Sequence, residues 1–181
     1  IRDNPDFDAT RRKEQFTALA QVWAGLRKAG VPLLYELLVP ATNAQLGQAG
    51  HDATAYDRDI RPGLVTRVIA DNQAHGIEPA LWKVEGLETV DAARQVAAQA
   101  KADGRTADLI VLGRDAPAER LDRWLEVASR VDAFVGFAIG RSIWEYVVSK
   151  YEASDHDDAA RTEARKRIAE RYLGFVARWT P

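Results

Sequence analysis

The sequence contains no cysteine and no methionine, and only three histidines in 181 residues. Without cysteine there are no disulfides, no thiolate metal ligands and no thiol nucleophile. That absence fits a cytoplasmic protein. The histidines are His51, His75 and His156, and no two share the spacing of a zinc site, so no metal is expected. Neither a glycine-rich phosphate loop nor a GxGxxG run is present, which leaves nucleotide binding without support and no cofactor expected. No apolar run is long enough to span a bilayer, and no signal-peptide pattern opens the chain. A net charge of −2 gives no electrostatic case for nucleic acid or an anionic membrane. Methionine normally makes up on the order of 2% of residues. Its absence, together with Ile1 at the start, leads to the expectation that the chain is part of a longer protein.

What is there is an alternation of amphipathic helices and short apolar strands. A first helix is expected over about residues 8–29, with Asp8 as its N-cap. Phe16, Leu19, Trp23 and Leu26 lie on one face, and Gly30 supplies the stop. A strand follows over 32–39, then a polar loop up to Arg61. Pro62 opens a second helix with Leu64, Val65, Val68 and Ile69 inward. Strands are expected at 80–84, 108–113 and 133–140, and helices at about 89–103 and 116–130. A short helix starts near Ser142. A terminal helix over about 157–179 carries Ile168, Tyr172, Phe175, Val176 and Trp179. Its basic residues (Arg161, Arg165, Lys166, Arg167, Arg171) are interleaved with Glu163 and Glu170 and read as a solvated face.

Continuous apolar strands separated by helices imply a parallel sheet covered by helices. The length fits an open doubly wound sheet or half of a (β/α)₈ barrel. Alternation along the strands favours the barrel. Leu34, Glu36 and Leu38 share a face, as do Leu81, Lys83 and Glu85, and as do Gly136, Ala138 and Gly140. A sheet with apolar helices on both faces tolerates Lys83 and Glu36 poorly.

Lys83 is the most informative residue. The other five lysines (Lys13, Lys28, Lys101, Lys150, Lys166) lie in polar, helix-patterned stretches. Lys83 sits in a short apolar run, where a solvated ammonium is not expected. Two readings stand side by side: a desolvated amine that attacks carbonyls, or a structural ion pair. Glu36, also in an apolar strand, is its natural partner and serves either reading, as proton shuttle or as counter-ion. Active sites of (β/α)₈ barrels lie at the C-terminal strand ends. Gly113 and Arg114 end one strand there, Glu85 another, and Gly140 and Arg141 a third. A strand–Gly–helix junction with an arginine suits an anion, although one Gly-Arg pair is a weak signal alone.

Taken together, these segments resemble a known family. Trp82-Lys-Val-Glu-Gly86 is similar to the segment carrying the Schiff-base lysine of class I tagatose-1,6-bisphosphate aldolases. Leu34-Tyr-Glu-Leu37 resembles the strand with that family's proton-transfer glutamate, and Gly140-Arg-Ser-Ile-Trp144 its phosphate motif. The runs Glu36–Thr42, Trp82–Gly86 and Gly136–Trp144 are more similar still to the aldolase-like domain fused to 5-dehydro-2-deoxygluconokinase in myo-inositol catabolism. The resemblance covers essentially the whole chain.

It implies a (β/α)₈ TIM barrel of which residues 1–181 form the second half, strands five to eight, as one domain incomplete at its N-terminus. Residues 1–6 then end the fourth strand. Because a half barrel leaves open edges, a longer chain or a closing partner is expected, with a homo-oligomer and a fused sugar kinase domain among the implied partners. The implied activity is that of a Schiff-base lyase. Lys83 is the nucleophile, Glu36 the proton-transfer group, and Gly140, Arg141, Gly113, Arg114 and Glu85 bind a phosphorylated keto-sugar or sugar acid. The implied substrate is 5-dehydro-2-deoxygluconate 6-phosphate. The family has a serine where this chain has Gly113-Arg114-Asp115, so Arg114 is expected to read a different anionic group. The alternative is a non-catalytic phosphosugar-binding or regulatory domain attached to a kinase.

Overall fold

A computed structural model describes residues 1–179. Its strands are β1 (Leu34–Leu37), β2 (Leu81–Glu85), β3 (Asp108–Leu112) and β4 (Phe134–Ala138). They form one parallel sheet in sequence order. The helices are α1 (Ala9–Ala29), α2 (Asn43–Gln48), α3 (Ala53–Ala55), α4 (Arg61–Ala74), α5 (Val90–Ala100), α6 (Ala118–Ser129), α7 (Arg141–Glu152) and α8 (Asp158–Trp179). Among the described residues, no helix is long and apolar enough to cross a membrane.

The ends of these elements follow local chemistry. Asp8 caps α1 by accepting from the Arg11 amide, and Gly30 ends it at φ 68°. Thr89 caps α5 in the same way. The stretch expected as a polar loop up to Arg61 is instead largely helical. Thr42 and Gln45 form a reciprocal capping box that starts α2. A π-helical turn, Tyr56–Ile60, then runs into α4. A wide turn of this kind breaks the 3.6-residue period, so the pattern of apolar residues does not announce it.

The sheet is one-sided. Connections between parallel neighbours are right-handed, so sequence order sends successive helices to the same side. The helices accordingly form a row in which α4 packs on α5, α5 on α6, α6 on α8 and α8 on α7. Tyr35, Leu37, Trp82, Val84, Leu109 and Val111 face that layer and are buried with Val68, Ile69, Leu121, Trp124 and Leu125. On the other face, Leu34, Glu36, Leu81 and Lys83 remain partly exposed. Lys83 is therefore not sealed in a core, as its apolar neighbours suggested. A bulge between Leu109 and Ile110 leaves Val135 unpaired and exposed. Residues 1–3 extend the β1 edge: Arg2 pairs parallel with Leu38, the Asp3 amide donates to the Leu38 carbonyl, and the Leu38 amide donates to the Ile1 carbonyl. Tyr172, expected inward on α8, is half exposed, while Phe175 on the same helix is buried.

Gly86 is fixed by packing. A β-carbon there would lie 2.0 Å from the Trp124 ring. Gly86→Ala is expected to destabilise the fold by about 1–3 kcal/mol through overpacking. Urea denaturation measures this as a lower midpoint. An unchanged midpoint would show that the Trp124 indole yields freely.

Candidate functional site

All four strands end on the same side of the sheet, and the segments that follow them form one rim. A cleft of about 250 Å³ opens there, lined by Glu36, Lys83, Gly113, Arg114, Gly140 and Arg141, with Asp115 and Trp144 beside them. A larger hollow of about 630 Å³ lies between α6, α7 and α8. It holds neither Lys83 nor Glu36 and is a gap between charged outer helix faces.

Glu36 and Lys83 stand opposite each other in the β1–β2 register. Their side chains share the open face, and the Lys83 ammonium contacts Glu36 Oε2. The Lys83 side chain is 18% exposed and that of Glu36 41%. The pair is thus in contact with the cleft rather than hidden beneath it. On the opposite wall Gly140 precedes the first turn of α7, which has no side-chain cap. That leaves amide donors at the helix start without an acceptor from a capping residue. Arg141 begins this turn and reaches Asp115.

Two residues expected at the substrate face have other duties. Glu85 does not line the cleft. It is buried at the C-terminal end of β2, where Oε2 accepts from the Val39 amide at 2.9 Å and Oε1 from Arg114 Nη1 at 2.7 Å. As the last residue of β2 it is free to turn across the strand ends, so simple alternation misplaces it. Arg114 does line the cleft, but its guanidinium is bound to Glu85 and to both carboxylate oxygens of Asp57. It forms a wall, not a vacant anion donor.

Asp57 is the centre of this buried array, and inspection of the sequence did not single it out. Arg61 Nε donates to it at 2.8 Å and Arg120 Nη2 at 2.9 Å. Arg61 also donates to the Gly86 carbonyl at 2.6 Å. Arg120 and the Trp124 indole both donate to Glu88. Tyr56 closes the array by donating to the Val39 carbonyl at 2.8 Å, and burial pushes its phenol up to about 12. The ends of β1, β2 and β3 and the start of α6 are tied together in this way. The only available signal was the i, i+4 spacing of Asp57 and Arg61, hidden in a stretch that reads as loop. A second polar cluster, Asn4 with Gln45 and Pro40, fastens the segment after residue 3 to the start of α2.

Burial alone would raise the Asp57 carboxyl. The Arg114 hydrogen bond and the charges of Arg61 and Arg114 outweigh it and hold the group below the usual aspartate range. Arg114 shows the complement: burial opposes its charge, and Asp57 and Glu85 more than restore it.

The described residues contain no cluster of His, Cys, Asp and Glu able to hold a metal. One sequence family matches residues 2–181, described as an uncharacterized protein conserved in bacteria (DUF2090). No curated protein matches the chain.

Asp57→Asn is expected to destabilise the fold by about 3–5 kcal/mol at neutral pH, because Arg61 and Arg114 lose their shared counter-ion. A carboxyl depressed in the folded state gives its full stabilisation above the unfolded pKa of about 3.9. That stabilisation is lost as pH falls through the lower, folded value. Denaturation from about pH 7 to about pH 3 should therefore show the gap between wild type and variant narrowing. A gap that stays constant would mean that the charge of Asp57 does not hold the array together.

Proposed function

The chain belongs to the DUF2090 family, and we propose that it is a Schiff-base aldolase acting on a phosphorylated keto-sugar or keto-sugar acid. One observation carries this reading. Lys83, Glu36 and the Gly140–Arg141 start of α7 open onto a single cleft at the C-terminal ends of parallel strands.

The chemistry follows from the reach of each group. Glu36 accepts a proton from the Lys83 ammonium, and the freed amine adds to the substrate ketone. The carbinolamine loses water to give an imine, which is held protonated. The β-hydroxyl gives up its proton, the adjacent C–C bond breaks, and an aldehyde leaves. The electron pair of that bond stays as an enamine, which takes up a proton at carbon. Water then cleaves the imine and releases the ketone product. Glu36 is the carboxylate within reach for these proton transfers. Arg141 and the amides at the start of α7 hold the phosphate. By its resemblance to the inositol-catabolism domain, the substrate is 5-dehydro-2-deoxygluconate 6-phosphate, and the products are dihydroxyacetone phosphate and malonate semialdehyde.

On this reading the sheet is the second half of a (β/α)₈ barrel. Support comes from the sequential strand order, the single helical layer and the parallel pairing of residues 1–3 on the β1 edge. Lys83 and Glu36 then face the barrel interior at its active end.

A second reading, a phosphosugar-binding module without turnover, is favoured by one feature. Lys83, Arg114 and Arg141 each already have a carboxylate partner. Borohydride trapping separates the two. With dihydroxyacetone phosphate, the intact protein should acquire one covalent adduct, at Lys83, and Lys83→Met should acquire none. Glu36→Gln should slow trapping by about 10²–10⁴-fold. No adduct in the wild type, with phosphosugar binding that survives Lys83→Arg, would establish the module instead.

A further inference from the structure

We propose that Arg2 reads a carboxylate at the end of the substrate remote from the phosphate, and so makes the site selective for a keto-sugar acid over a neutral keto-sugar. The inference rests on the aldolase reading and deepens it.

Three observations carry it. First, Arg2 pairs in parallel register with Leu38. Register partners project from the same face of a sheet, and Leu38 lies two residues beyond Glu36 on the face that carries Glu36 and Lys83. The Arg2 side chain therefore leaves the backbone on the open face, level with the C-terminal strand ends, where barrel enzymes hold their substrates. Second, residues 1–3 and β4 are each two strands away from β2 in the order of the sheet. At the usual strand spacing, Arg2 and the β4–α7 junction flank Lys83 at about 10 Å on either side. Third, Arg2 is exposed and, among the described residues, has no carboxylate partner, whereas Lys83, Arg114 and Arg141 each have one. At the free edge it borders a hollow of about 390 Å³ in front of α1, beside Asp3, Asp8 and Arg11. Turning from there toward the cleft breaks no ion pair and costs rotamer freedom alone.

The direction of the substrate follows from the imine. Its carbon has two carbon neighbours, one toward the phosphate and one toward the bond that breaks. With the phosphate at Arg141, the second arm extends over β1, past Glu36 and toward Arg2. A carboxylate at the end of that arm meets the like charge of Glu36 unless a cation offsets it. Arg2 supplies that cation in a planar, two-pronged form suited to a carboxylate. A neutral arm of the same length gains nothing from Arg2, so the residue discriminates between the two rather than favouring every ligand.

The test runs the reaction of the intact protein in the bond-forming direction at neutral pH, where a carboxylate is ionised. Dihydroxyacetone phosphate is the donor, and two aldehydes of similar size are the acceptors. Malonate semialdehyde ends in a carboxylate and butanal in a methyl group. The enamine carbon on Lys83 bonds to the aldehyde carbon, the aldehyde oxygen takes up a proton, and water frees the product from the lysine. The wild type is expected to prefer malonate semialdehyde in kcat/KM. Arg2→Gln is expected to lower kcat/KM for malonate semialdehyde about tenfold more than for butanal, with the loss in KM. Arg2→Lys keeps the charge and is expected to retain part of the preference. Circular dichroism checks that each variant is folded. A wild type without the preference, an Arg2→Gln variant that keeps it or loses both aldehydes alike, or an Arg2→Lys variant no more selective than Arg2→Gln overturns the proposal. In each of those cases the aldolase reading stands if borohydride still traps dihydroxyacetone phosphate on Lys83 of the wild type. If the wild type neither traps dihydroxyacetone phosphate nor condenses it with either aldehyde, the aldolase reading and the proposal fall together.

Discussion

Chain connectivity decides which face of this sheet is free to do chemistry. Parallel neighbours joined in sequence order by right-handed crossovers send their helices to one side. The side chains of that face must be apolar, and Tyr35, Leu37, Trp82, Val84, Leu109 and Val111 meet the demand. The residues between them are released from it. Glu36 and Lys83 occupy such positions, next to each other in register. A doubly wound sheet would press a helix onto both charges and exact their desolvation. Here they keep partial access to water and to whatever enters from the strand ends. Lys83 among apolar neighbours is thus reconciled with physics by the winding of the chain before any function is considered.

The second constraint is the array of charges buried at the strand ends. Burying ions is costly, and an apolar replacement of equal shape often stabilises as well. What the array supplies is geometry. Asp57 bridges arginines from α4, from the segment after β3 and from α6, while Glu85 joins β1 to the same set. Three strand ends and a helix are therefore held at fixed separations by directional bonds, which apolar contacts do not provide. Arg114 belongs to both worlds: its guanidinium is committed inward, and its backbone carries the turn that forms one wall of the cleft. Disturbing Asp57 disturbs the rim of the site without touching its lining.

The alternation of elements was readable in the sequence wherever apolar residues kept a period. The four strands and the long helices lie within a few residues of their expected places. The Glu36–Lys83 contact was also legible, because two lone opposite charges in apolar strands have few other ways to be satisfied. Three things were hidden, each for a physical reason. The π-helical turn at Tyr56–Ile60 has no apolar period to read, so Asp57 and Arg61 passed as loop residues. Glu85 obeys alternation only as far as its backbone, since a terminal strand residue has no neighbour beyond it to hold its side chain on one face. Arg114 looked like an anion donor because nothing in its surroundings shows Asp57, 57 positions away in sequence.

These features leave the cleft electrically settled before any ligand arrives. Lys83 faces Glu36, Arg114 faces Asp57 and Glu85, and Arg141 faces Asp115. A ligand therefore enters by exchanging partners, and its affinity is a difference between two sets of ion pairs. Exchange is easy only where water already reaches the pair. That condition holds at Lys83–Glu36 and at Arg141–Asp115, and fails at Arg114, whose carboxylates are nearly dry. The two exchangeable pairs stand on opposite walls, one on β1 and β2 and the other at the junction of β4 with α7. A molecule that engages both walls has to meet a lysine–glutamate pair on one and an arginine–aspartate pair on the other; on the proposed reading, a phosphorylated ketone does so with its carbonyl at Lys83 and its phosphate at Arg141.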